Sequence, residues 1–299
     1  MSSSRQLFWT LDVVCFVVIG LADLLLHATK LEPSNRGFFC DDESIKRPLR
    51  PEHVPTNVAL AAGISVVVVA IIVGETAREF VFKAKARDPC RNSRNIACGP
   101  ITMKAWQQRL CVILFMFVFG GIVTSLITDI GKLSVGRQRP YFLAVCKPDP
   151  LKINCTAGQY TELSVCTGDK AEILEARLSF PSGHSSFAAY TMVFLSLYLE
   201  AIIPTRKTVL LKPFLQVSAI SLGLLCALSR IFDYRHHWGD VLAGLAIGTL
   251  IAFYVTFKPL QLFSQGPCTC CKQHSLSNVS IGREIDVESQ PSPDAHTKL

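Results

Sequence analysis

Six apolar runs, each near the about 20 residues a helix needs to cross hydrocarbon, constrain this chain more than any other feature. They cover 7–28, 57–82, 109–131, 184–203, 213–228 and 240–257. Lipid offers no partner to an unpaired backbone N–H or C=O, so apolar runs of this length are helices. The expectation is an all-α integral membrane protein, a bundle of six transmembrane helices. A hydrophobic content of 49% with a mean hydropathy of +0.35 agrees and is high for a soluble domain. Residues 1–6 are a short polar start on the cytosolic side, 7–262 form the membrane domain, and 263–299 read as a cytosolic, disordered tail. No internal repeat is present. The first run carries Asp12 and Asp23 and lacks a small-residue cleavage site, so it reads as a signal anchor.

An even number of spans puts both termini on one side. The 83–108 and 204–212 loops share that side and are densely basic, which assigns it to the cytosol. Two signals agree. Asn154-Cys155-Thr156, in the long loop 132–183, is a glycosylation sequon on the opposite side. Cys40, Cys146, Cys155 and Cys166 also lie there, where disulfides survive. The last three share one loop, so a bridge among them is expected; four cysteines allow three full pairings, and spacing does not choose. A second sequon at Asn278 falls in the tail, on the cytosolic side where glycosylation does not occur. Cys268, Cys270 and Cys271, just past the last span, are placed for S-palmitoylation or are free thiols in a reducing compartment. The net charge of +7 suits loops at an anionic leaflet. No basic patch with interleaved aromatics points to nucleic acid.

Three polar clusters sit at span ends. The third span runs into Lys132-Leu-Ser-Val-Gly-Arg137-Gln-Arg139-Pro140. The fourth follows Phe180-Pro181-Ser182-Gly183-His184. Ser229-Arg230 and then His236 lie between the fifth and sixth, and Asp240 opens the sixth. Odd spans end, and even spans begin, on the outer face, so topology alone brings all three together. Interfacial Lys and Arg taken singly are ordinary snorkelling anchors. Their convergence with His and Ser on one face is a different matter, because buried charge near hydrocarbon needs a partner or a task. Lys132, Arg139 and Arg230 supply three cations suited to phosphate oxygens. Ser182 reads as an N-cap, which leaves the first N–H groups of the fourth span aimed at an anion. His184 lies in that turn, and His236 has Asp240 four residues on, at helical spacing. One histidine can attack while the other acts as general acid. His237 lacks this placement and reads as a supporting residue. A Cys/His metal site is not evident, and a zinc site at the tail cysteines would need a second ligand pair.

Lys132-x6-Arg139-Pro140, Pro181-Ser182-Gly183-His184 and Ser229-Arg230-x5-His236-x3-Asp240 resemble the three-part signature of the type 2 phosphatidic acid phosphatase superfamily. The context Gly136-Arg137-Gln138-Arg139-Pro140, the run from His236 to Gly244, and Arg36-Gly37-Phe38-Phe39-Cys40 through Glu43-Ser44-Ile45 are similar to its animal lipid phosphate phosphatases. The likeness spans roughly residues 5–262, with no departure at the signature positions.

The resemblance implies Mg²⁺-independent hydrolysis of phosphatidate, lysophosphatidate, sphingosine 1-phosphate and ceramide 1-phosphate, with no cofactor. It implies that His236 is the nucleophile, that Asp240 activates it, and that His184 protonates the leaving alkoxide. Lys132, Arg139, Ser182, Gly183 and Arg230 would hold the phosphoryl oxygens. The expected setting is the plasma membrane or an internal membrane, with the site facing outside or the lumen and lipid phosphates as partners; self-association is left open. A second class stays in view, a catalytically silent membrane protein that uses the same pocket to capture lysophospholipid. A transporter fits less well, since paired Gly/Pro-broken spans are lacking.

Overall fold

Each apolar run becomes a helix, and most extend beyond their apolar stretch. In the computed structural model, residues 2–29, 31–85, 96–98, 101–152, 158–203, 209–260 and 262 are described. The helices are α1 (Ser2–Ala28), α2 (Thr56–Lys85), α3 (Ala105–Val135), α4 (Phe142–Cys146), α5 (Lys170–Glu175), α6 (Gly183–Ile202), α7 (Leu211–Phe232) and α8 (Trp238–Phe257). Among the described residues six of these, all but α4 and α5, are long and apolar enough to cross a membrane. The chain is an all-α, six-span membrane protein. Asn154, Cys155, Cys268, Cys270, Cys271 and the 263–299 tail lie outside the described residues.

The extra turns matter for the polar clusters. Helix α1 starts at Ser2, so the polar start is its first turn. Helix α3 carries Lys132 within its last turn and stops at Gly136, whose φ of 57° is the left-handed conformation that glycine adopts without strain. Helix α7 runs on to Phe232 and so includes Arg230. Helix α8 begins only at Trp238, which leaves His236 in the turn before it.

Helix α6 is the hub and packs against α2, α3, α7 and α8. Val67, Ile71, Phe117, Tyr190, Phe194, Tyr198 and Val255 form the core around it. Its buried tyrosines are satisfied across the bundle: Tyr190 Oη donates to the Phe117 carbonyl at 2.6 Å, and Tyr198 Oη to the Ile71 carbonyl at 3.2 Å. The tightest approach is to α8. A Cβ at Gly244 would stand 2.5 Å from the Ser182 carbonyl oxygen, and one at Gly248 2.0 Å from that of Ser186. Two glycines one turn apart let the helices close to backbone contact. Because that contact runs through Ser182, it brings the start of α6 against the start of α8.

The two loops at the end of the bundle that carries the polar clusters are built around a core of their own. Residues 31–55, 136–152 and 158–182 share a small core of Phe38, Ile45, Tyr141, Phe142, Val145, Val165 and Ala176. Phe38–Phe39 pairs antiparallel with Tyr160–Thr161. Cys146 and Cys166 are joined in a disulfide, and Cys40 is also disulfide-bonded. Backbone bonds from Ser34 to Leu133 (2.9 Å) and from Arg47 to Pro140 (2.8 Å) tie the first loop to the end of α3. Together the described parts of the loops form a lid over one end of the bundle.

Candidate active site

Four helix ends and both lid loops contribute to one cavity of about 150 Å³ beneath that lid. Lys132, Arg139, Gly183, His184, Arg230 and His236 line it on the polar side. Ala59, Leu60 and Phe187 form an apolar wall. Six of the eight residues singled out from the sequence as catalytic or phosphate-binding therefore share one space. The other two, Ser182 and Asp240, stand behind it. Ser182 is fully buried as the N-cap of α6, accepting from Ser185 N at 3.5 Å and from Ser185 Oγ at 3.0 Å. Its own N–H donates to the Asp240 carbonyl at 3.0 Å, which locks the starts of α6 and α8 together. Gly183 matters through what it lacks, since a Cβ there would stand 3.3 Å from Lys132 Nζ. The ammonium group thus lies close over the first turn of α6.

The turn bearing His236 is anchored on both sides. The N–H groups of Arg235 and His236 donate to the Arg230 carbonyl at 2.9 and 3.1 Å. Asp233, fully buried, accepts from His53 N at 2.9 Å and from the His53 ring. Burial pushes the Asp233 carboxyl up, but the His53 hydrogen bonds outweigh it and hold the group below its ordinary value.

His236 is 4% exposed. Its Nδ1 lies 2.8 Å from the Ser179 carbonyl oxygen, which can only accept, so Nδ1 carries the proton and Nε2 keeps its lone pair. Asp240 is not its direct partner: Oδ2 stands 4.0 Å from Nδ1. The carboxylate instead accepts from Arg137 Nη1 at 2.7 Å, Ser179 Oγ at 2.6 Å and His237 N at 3.0 Å. Because α8 begins after His236, the four-residue spacing does not put the two side chains on one helical face. Burial, then Arg139 and Arg230, hold the His236 imidazole well below its ordinary value. The neutral ring is the form a nucleophile needs. His237 caps α8, and its Nε2 lies 3.1 Å from the Gln138 carbonyl oxygen. Across the cavity, His184 Nε2 is buried without a protein hydrogen-bond partner.

Each of the three cations carries a carboxylate. Lys132 Nζ pairs with Asp129 at 2.7 Å within α3. Arg139 Nη1 pairs with Glu175 at 3.0 Å, and Arg230 Nη2 with Glu52 at 3.2 Å. Glu52 and Glu175 themselves line the cavity. Sequence reasoning missed both, together with Ser179 and the Arg137–Asp240 pair. Glu52 and Ser179 come from loop positions that only the folded lid brings to the site. Among the described residues one cluster has metal-ligand types, Asp23, His27 and Asp129. It lies outside the cavity, and Asp129 is already shared between Lys132 and His27.

Residues 109–261 match the model of the PAP2 superfamily. The chain is 40% identical to phospholipid phosphatase 1 of Rattus norvegicus, over 87% of each chain. It is 35% identical to phospholipid phosphatase 2 of Homo sapiens, over 96% of this chain and 91% of that one. No solved structure matches. With residues 109–261 matching the family model and the two relatives matched over 87% and 91% of their length, the chain belongs to the PAP2 superfamily, among the animal phospholipid phosphatases.

Proposed function

We propose that this enzyme hydrolyses the monophosphate esters of lipids, phosphatidate, lysophosphatidate, sphingosine 1-phosphate and ceramide 1-phosphate, through a phosphohistidine and without Mg²⁺. The observation that carries the proposal is the cavity itself, in which two histidines and three cations meet beside an apolar wall. His236 Nε2 attacks phosphorus as the bond to the lipid oxygen breaks. His184 gives its proton to the departing alkoxide. Water then attacks phosphorus, His184 takes a proton from it, and the N–P bond breaks to free inorganic phosphate. Lys132, Arg139, Arg230 and the N–H groups at the start of α6 stabilise the charge on the transferring group. Ser182 and Gly183 serve by shaping that turn. Asp240, 4.0 Å from Nδ1, stabilises the positive charge that develops on the imidazole.

The site faces the outside of the cell or an organelle lumen, with the plasma membrane as the main location. Asn154 is glycosylated there, the tail cysteines Cys268, Cys270 and Cys271 are palmitoylated on the cytosolic side, and the activity controls lipid phosphate signals. The disulfide between Cys146 and Cys166 supports this orientation. The competing reading, a silent lipid-phosphate binder, is disfavoured by the complete set of His184, His236 and Asp240. The test is phosphate release from lysophosphatidate by purified protein in excess EDTA. Release is expected, with radiolabelled phosphate trapped on the protein and lost in His236→Ala. Lipid binding without release would leave the binder, and labelling that persists in His236→Ala would remove His236 as nucleophile.

A further inference from the structure

The carboxylate on Arg230 differs from the other two. Asp129 sits within α3, one turn before Lys132, and does not line the cavity. Glu175 is 59% exposed, so its hold on Arg139 is screened by solvent. Arg230 is 1% exposed, and a buried guanidinium without a counter-charge is costly. Glu52 supplies that charge from the cavity wall, on the surface a phosphoryl oxygen would use. It also has a second cation, since Arg235 Nη1 lies 3.5 Å from the same Oε1. Arg235 is itself fixed, donating to the Arg50 carbonyl at 2.9 Å and lying over the Tyr141 ring at 5.1 Å. Glu52 sits on the loop just before α2 and is 24% exposed, which leaves it room to shift between the two.

We propose that Glu52 is an exchangeable counter-ion, a positioning residue that neutralises Arg230 in the empty cavity and yields it to an incoming phosphate monoester. It rests on Arg235 while phosphate is bound and reclaims Arg230 as inorganic phosphate leaves. This rests on the hydrolytic reading of the site. Carboxylate and phosphate compete for one guanidinium fork, so the exchange weakens phosphate binding and speeds its release. It also favours monoester dianions over diesters, whose single charge is a weaker competitor.

The experiment uses full-length protein in detergent. Inorganic phosphate and orthovanadate affinities are read from ligand-dependent thermal stabilisation, and kcat and KM from lysophosphatidate hydrolysis. In Glu52→Gln, phosphate binds about tenfold tighter, KM falls and kcat falls with slower release. Glu52→Asp keeps the charge and moves phosphate affinity back towards wild type. Unchanged or weaker phosphate binding in Glu52→Gln overturns the proposal, because a purely structural brace would weaken it. Should Glu52→Gln not fold, Arg235→Gln decides: confining Glu52 to Arg230 must weaken phosphate binding, and no change overturns the exchange. The binding readout needs no turnover. Wild type that binds phosphate yet releases none from lysophosphatidate defeats the hydrolytic reading, while the affinity ratio still judges Glu52.

Discussion

His236 donates its Nδ1 proton to the backbone carbonyl of Ser179 at 2.8 Å, and the hydroxyl of the same serine donates to Asp240 at 2.6 Å. Ser179 is therefore the link through which a buried carboxylate orients an imidazole it does not touch. Ser179→Ala keeps the carbonyl and removes the hydroxyl. The loss of one hydrogen bond to a buried charge is about 1.5 kcal/mol, or roughly a tenfold slower phosphorylation of His236. Single-turnover trapping of radiolabelled phosphate checks this. Slower but complete labelling is expected, in contrast to no labelling in His236→Ala.

The pH dependence tied to His236 follows from its burial and from the cations around it. Its folded pKa is depressed by burial, then by Arg139 and Arg230, so the ring takes up a proton only below the ordinary imidazole range. The unfolded chain binds that proton first. The stability tied to this group is then complete above the ordinary value and lost as pH falls from there towards the folded pKa. At about pH 6, NMR of histidine-labelled protein should show His236 still neutral, with His236→Ala giving the assignment. Titration at or above the ordinary value would contradict this.

Helix packing sets a separate expectation. A methyl group at Gly248 meets the Ser186 carbonyl at 2.0 Å, and backbone cannot yield as a side chain tip can. Gly248→Ala should cost about 1–3 kcal/mol and lower the melting point in detergent. Gly20→Ala, with nothing within 4 Å of its Cβ, is the control that leaves the melting point in place.

The lid should depend on its covalent tie. Cys146 and Cys166 are 20 residues apart, and closing such a loop stabilises by about 3 kcal/mol. Cys146→Ser should lower the melting point. Peptide mapping without reductant should recover the Cys146–Cys166 pair from wild type.

The bundle was legible because hydropathy and length report helices directly, and because strict alternation of span direction brings Lys132, His184, Arg230 and His236 to one face. The spacing of His236 and Asp240 predicts one helical face, yet the chain turns at His236 and the helix starts two residues later. Ser179 was invisible because its part in the site is played by a carbonyl, which every residue carries. Glu52 was invisible because its partner Arg230 lies 178 residues away and is reached only once the loop between α1 and α2 folds back over α7.

Helix α6 carries His184, yet it is the most buried and the least apolar of the six spans. A segment of that character partitions poorly into lipid by itself. Its packing partners α2 and α3 precede it in the chain and can shelter it during synthesis, before α7 and α8 arrive. Synthesis thus places His184 before His236, and a chain arrested ahead of the turn between α7 and α8 would be a membrane protein with an incomplete cavity.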